Sequence, residues 1–150
     1  MIRLFGGSER ILIDRRLNMW FWWFIFVCDI LIPLIMIVAG ILMARRAPEN
    51  INYWIGYRTS LSMKNEETWK FAHKTCGGIW WKLGVVMLII SALIHVPFYG
   101  ASDDALSILS LIVTMLQIAL IIASIFVIES ALKKKFNEDG SESAPDSKRY

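Results

Sequence analysis

Histidine and cysteine are nearly missing from this sequence, at two of each in 150 residues. Cys28 and Cys76 fall in different segments without CxxC spacing, which excludes a disulfide framework and a thiolate metal site. No phosphate-binding loop and no nucleophile beside a base occurs, so an enzyme reading has only Glu66, Glu67 and His73 to rest on. A Glu-Glu pair at a helix start serves the helix dipole, and the chain reads as non-enzymatic, with no cofactor, no metal and no direct nucleic-acid partner. Charge is sparse too: Asp, Glu, Lys and Arg make up 19% and the net charge is only +3. What fills the chain instead is apolar, at 56% hydrophobic residues with seven tryptophans. That composition, carried in uninterrupted runs, excludes an ordinary soluble domain.

Three apolar runs stand out, at residues 19–43, 79–99 and 105–132. A helix needs roughly 20 residues to cross about 30 Å of hydrocarbon, so each run predicts a transmembrane helix. Lys82 lies near the edge of the second run, where its head can snorkel to the interface beside Trp80 and Trp81. The expected fold is an all-α integral membrane protein, a three-helix bundle with a polar, amphipathic segment between the first and second helices. Residues 19–136 make one membrane domain, and the Ser-, Asp- and Glu-rich residues 137–150 predict a disordered tail.

Lysine and arginine set the orientation. The loop from Pro97 to Asp104 has neither, whereas Ala44 to Gly78 holds six and the tail opens on Lys133, Lys134 and Lys135. Residues 44–78 and the C-terminus are therefore expected in the cytoplasm, and the N-terminus outside. Residues 1–18 fit poorly with translocation, carrying Arg3, Arg10, Arg15 and Arg16. Either Met19 is the natural start and residues 1–18 are an upstream extension, or these residues form an arm on the cytoplasmic face. They have no apolar stretch of their own and do not read as a signal peptide.

Polar atoms inside the runs call for partners. An aspartate near mid-span costs about 2.5–3.5 kcal/mol or more on insertion scales, so Asp29 is expected to be protonated, paired or both. At the helical rise per residue, Thr114 and Gln117 reach the same depth. They belong to a stripe of Ser107, Ser110, Thr114, Gln117 and Ser124 on one face of the third helix. Interhelical packing is the simpler role for that stripe, and a polar path through the bundle the sharper one. Pro33 should kink the first helix and, with Gly40, mark the closest packing. His95 has no depth-matched second histidine, and Glu129 stands four residues before Lys133, where an ion pair is favourable.

The polar segment is the unusual part. Within "INYWIGYRTSLSMKNEETWKFAHKTCGG", Gly56 can supply a turn and Asn65 a helix N-cap, with Glu66 and Glu67 in the first turn. Trp69, His73, Cys76 and Trp80 then follow at spacings of four, three and four, one stripe of a helix running into the second span. An interfacial helix with tryptophan in the headgroups and lysines on phosphates would account for much of this. The density of Asn52, Tyr53, Tyr57, Arg58, Thr59, Asn65, Glu66, Glu67 and His73 suggests more: a fold over the cytoplasmic mouth, with Arg58 pairing Glu66 or Glu67.

This stretch resembles the signature of the SdpI family of small bacterial membrane proteins. The residues that carry the resemblance are Asn52, Gly56, Tyr57, Arg58, Thr59, Ser62, Lys64, Asn65, Glu66, Glu67, Trp69 and His73. The similarity runs from about Met19 to Lys135, corresponding to the family core in a short form without the namesake's extra N-terminal membrane domain. Short members open close to the "MWFWWFIF" found here at residues 19–26. The resemblance implies immunity to a secreted, membrane-active peptide toxin met on the outer side. It also implies signalling through a cytoplasmic regulator, a transcriptional repressor held at the membrane. The alternative function is a small oligomeric transporter or efflux component, with Asp29 and the Gln117 stripe lining its path.

Overall fold

In the computed structural model the described residues are 7–46, 50, 51, 53, 54 and 56–143, with side chains from Arg16 onward. The described residues form three helices, α1 (Gly7–Arg45), α2 (Glu66–His95) and α3 (Asp103–Lys135), with a 3₁₀ turn over Val96–Phe98. All three are long and apolar enough to cross a membrane. The all-α architecture is as the apolar runs require.

Each helix overruns its apolar run, for local reasons. α1 starts at Gly7 because residues 8–18 contain no proline or glycine to stop it. α2 starts at Glu66 under a full capping box, so the Trp69–Trp80 stripe and the second span are one helix. At about 1.5 Å per residue those 30 residues span about 45 Å, more than a hydrocarbon core. With Glu66, Glu67, Lys70 and Lys74 in its first turns, that end is suited to lie beyond the hydrocarbon. Pro97 cannot donate the next helical bond, and α2 tightens into the 3₁₀ turn instead of running on to Tyr99. α3 opens on the Ser102 cap with Asp103 and Asp104 in its first turn and closes on Lys133, Lys134 and Lys135. Both charge sets complement the helix dipole.

α1 and α2 pack nearly backbone to backbone. A methyl group on Gly40 would run into the backbone of Trp81, and one on Gly77 into that of Ala44. Close approach of this kind is how helices associate where lipid removes the hydrophobic drive between them. α3 lies against the pair with one stripe, Leu106, Leu109, Val113, Gln117, Ser124, Ile128 and Leu132. Its other faces expose Leu111, Met115, Ile122 and Phe126, a surface suited to acyl chains and not to water.

The buried apolar core sits at the end of the bundle where α2 stands proud. Tyr57, Leu61, Ala72, Cys76, Ile128, Leu132 and Phe136 form it. Residues 137–143, expected to be disordered, fold onto this end. Asn137 N–H donates to the Ser141 carbonyl at 2.8 Å, and Ser143 N–H to that of Lys135 at 2.9 Å. Phe136 is buried beside Phe71, which gives the turn an apolar anchor its own composition does not suggest. The Ser141 hydroxyl and N–H hold the Asp139 carboxyl below its usual range. Residues 144–150 lie outside the described residues, as do residues 1–6 of the expected extension.

Candidate functional site

From Gly56 on, the polar segment packs onto the first turns of α2 and the last turns of α3. Gly56 turns the chain at φ +129° and lies flat against the His73 ring. The next N–H, that of Tyr57, donates to His73 Nε2 at 3.2 Å. His73 Nδ1 lies 2.9 Å from the Trp69 carbonyl, which can only accept. The imidazole is therefore in its Nδ1–H form with Nε2 as acceptor. Trp69 stacks at a tilt on this ring, 4.1 Å between centroids, and both side chains are fully buried.

Around that centre Thr59, Ser62, Asn65 and Thr68 hold the turn by hydrogen bonds. Ser62 Oγ accepts from Thr59 N–H at 2.8 Å and turns its hydroxyl to the Tyr57 and Thr59 carbonyls, each at 3.0 Å. Ser62 N–H donates to Thr59 Oγ1 at 3.2 Å. Asn65 Oδ1 accepts from Thr68 N–H at 2.9 Å, and Asn65 N–H donates to Thr68 Oγ1 at 3.2 Å. The same Asn65 amide reaches across 75 residues to the Gly140 carbonyl at 2.8 Å, clamping residues 137–143 to the segment. Tyr57 anchors the whole to α3, its hydroxyl donating to the Ile125 carbonyl at 3.3 Å. Burial first, then the negative charge of nearby Glu129, pushes this phenol up to about 12.

The exposed face is different in kind. Arg58, Glu66 and Glu67 point outward. The expected pairing of Arg58 with a glutamate is not made: Glu66 pairs with Lys70, one turn along α2, at 3.3 Å. An i, i+4 partner on the same helix outcompetes one on a loop. Asn52 lies outside the described residues. Beside the segment a cleft of about 680 Å³ opens between Leu61, Lys64, Glu129, Lys133, Phe136 and Glu138. Glu129 forms no ion pair with Lys133 among the described residues, and its Oε2 is buried there without a hydrogen-bond partner.

A second polar centre lies within the bundle. Asp29 of α1 is buried with His95 Nε2 3.0 Å from its Oδ2. Its Oδ1 accepts from Ser110 at 2.8 Å and from Thr114 at 3.3 Å, and its backbone carbonyl from Gln117 Nε2 at 2.9 Å. Gln117 also donates to Ser91 Oγ at 2.9 Å, and Gln117 Oε1 is buried without a partner. So Thr114 and Gln117 are the partners that depth-matching gives Asp29. Ser124 serves elsewhere, accepting from Trp80 Nε1 at 3.1 Å, and Ser107 bonds back to the Asp103 carbonyl. The pairing of His95 with Asp29 and the part played by Ser91 were missed by sequence reasoning, because the partner lies 66 residues away on another helix and no local pattern marks it.

A sequence model described as the SdpI/YfhL protein family matches residues 49–128. The match takes in the folded segment, all of α2 and α3 as far as Ile128. No curated protein and no solved structure matches the chain.

Proposed function

The chain belongs to the SdpI/YfhL protein family, and from that premise we propose that this multi-pass membrane protein is an immunity and signal protein. In this reading it gives a bacterial cell tolerance to a secreted, membrane-active peptide and relays the peptide's presence to a cytoplasmic regulator. The observation that carries the proposal is the division of labour within the polar segment. Tyr57, Ser62, Trp69 and His73 are buried and hold one another, while Asn65 caps α2 through Thr68 and reaches Gly140. Arg58 and Glu67 are exposed and make no side-chain bond in that fold among the described residues, which leaves them available to a partner. The neighbouring cleft gives such a partner a concave surface of mixed charge. The positive-inside bias supports an orientation with this end of the bundle on the cytoplasmic side of a bacterial cell membrane and the short Asp103–Asp104 loop outside.

The test is tolerance. The chain is expressed in a sensitive bacterium and challenged with a panel of secreted membrane-active peptides, beside Arg58→Ala at equal membrane abundance. Protection by the parent and its loss with Arg58 is the expected result. Protection that survives Arg58→Ala would move the mechanism away from the segment, and no protection across the panel would sink the immunity reading.

The second reading, a small oligomeric transporter or efflux component, is supported by one observation, the buried Asp29 carboxyl shared by three helices. It requires Asp29→Asn and Gln117→Leu to abolish a measured efflux.

A further inference from the structure

The hydrogen bonds around Asp29 fix a proton count. His95 Nδ1 is 2.7 Å from the Ser91 carbonyl, an atom that can only accept, so Nδ1 carries a hydrogen. The Nε2 to Oδ2 contact of 3.0 Å between His95 and Asp29 then joins two atoms that both repel each other unless a hydrogen lies between them. Placing that hydrogen on Oδ1 instead would not relieve the contact, because Nε2 and Oδ2 would still face each other lone pair to lone pair. Two assignments remain. Either the imidazole is doubly protonated beside a carboxylate, or a protonated Oδ2 donates to a neutral ring. Both leave the pair electrically neutral as a unit, and both contain one proton more than an aspartate and a neutral histidine hold apart.

We infer that Asp29 and His95 form a proton-binding site within the membrane, its ligand a single proton held between Oδ2 and Nε2. The immunity reading does not require this site. The groups around the pair are uncharged. From α3, Ser110, Thr114 and Gln117 face the carboxyl and its backbone with uncharged groups. From α1, Phe26 packs edge-on to the ring at 5.7 Å, and Trp22 Nε1 donates to the His95 carbonyl at 3.3 Å. From α2, Ser91 supplies the carbonyl that orients the ring. Among the described residues no second ionisable side chain touches the pair to take over its charge. Removing the proton would leave a net negative charge where charge is costly. It would also turn the Asp29–His95 contact, one of the bonds joining α1 to α2, into a repulsion. Proton occupancy and assembly of the three helices are therefore coupled.

The chain has only two histidines, which makes the count directly measurable. The full chain is labelled with 15N-histidine and 13C-aspartate, reconstituted in lipid nanodiscs and read by solid-state NMR, with Asp29→Asn assigning the signals. His73 is the internal standard: one protonated and one unprotonated nitrogen, unchanged in the variant, report an intact fold. For His95, a protonated Nε2 beside an ionised Asp29 upholds the site, as does an unprotonated Nε2 beside a protonated Asp29 carboxyl. An ionised Asp29 together with an unprotonated Nε2, in protein whose His73 signals are native, overturns it.

Discussion

The Tyr57 N–H meets His73 Nε2 at 3.2 Å across sixteen residues of chain, and Gly56 is what allows it. The glycine adopts φ +129°, a conformation other residues rarely take, and a side chain there would overlap the imidazole. A motif glycine followed by an aromatic residue and, seventeen positions after the glycine, a histidine is thus one device, in which the turn delivers a backbone donor to a buried ring.

Gly56→Ala should therefore unmake the segment without touching the spans. Forcing a non-glycine residue into such a conformation costs about 1–3 kcal/mol, before the overlap with His73 is counted. The expected outcome is faster amide exchange across residues 57–69, with the exchange of α3 residues 109–120 unchanged. Unchanged protection in the segment would show that His73 does not hold it.

Asn65 works in two places. Loss of an N-cap side chain costs about 1 kcal/mol of helix stability, and Asn65→Ala also removes the bond to the Gly140 carbonyl. Asn65→Asp keeps the cap acceptor and loses only the amide that reaches Gly140. Cleavage by an added protease after residue 136 should be accelerated in both variants, and fraying of the first turn of α2 only in the alanine one.

Gly77 and Gly78 form a built-in comparison. They are adjacent in sequence, yet a methyl group on Gly77 strikes the α1 backbone at Ala44, and one on Gly78 meets nothing within 4 Å. Gly77→Ala should lower the thermal midpoint in detergent, since overpacking typically costs about 1–3 kcal/mol. Gly78→Ala should leave it unchanged or raise it slightly, alanine being about 1 kcal/mol the better helix former. Equal behaviour of the two variants would contradict the close α1–α2 seam.

Tyr57 gives an alkaline signature. Its ionisation moves from 10.0 to about 12 on folding, chiefly through burial and then the Glu129 charge. A folded-state value raised in this way stabilises fully below pH 10 and the contribution is lost as pH climbs through about 12. Between these values the stability of the parent should fall, and that of Tyr57→Phe should fall less steeply. Parallel loss in both proteins would detach the phenol from the fold.

Much of this molecule is written in local pattern, and the unread part is long-range. The spans follow from apolar length, and Asn65 as a cap from its type and the acidic pair behind it. The Ser110, Thr114 and Gln117 stripe follows from helical period, and its match to Asp29 from depth. His95 offers no such handle, because its partner lies 66 residues away on another helix and a lone histidine sets no period. The second bond of Asn65, to Gly140, is hidden for the same reason. Residues 137–143 look disordered by composition because their apolar anchor, Phe136, precedes them and its socket belongs to α2. The expected Arg58 pairing is made with neither glutamate: Glu66 has Lys70 in register on its own helix, and Glu67 stays exposed.

The Asp29–His95 pair predicts an order of severity that runs against counting contacts. Removing one member of a buried pair leaves the other uncompensated and costs about 3–5 kcal/mol, whereas replacing both with apolar groups is often neutral. His95→Leu should therefore be the most damaging single change, because Asp29 keeps only the Ser110 and Thr114 hydroxyls. Asp29→Asn should be mild. Its amide oxygen can accept from those hydroxyls, and its nitrogen can donate to Nε2 in place of the shared proton. The double variant Asp29→Leu, His95→Leu should recover part of what His95→Leu loses, although Ser110 and Thr114 then lose their acceptor. Thermal midpoints of the four proteins in one detergent, ranked at a single pH, decide the matter. A double variant worse than His95→Leu alone would mean that the pair holds the helices together by attraction beyond mutual neutralisation.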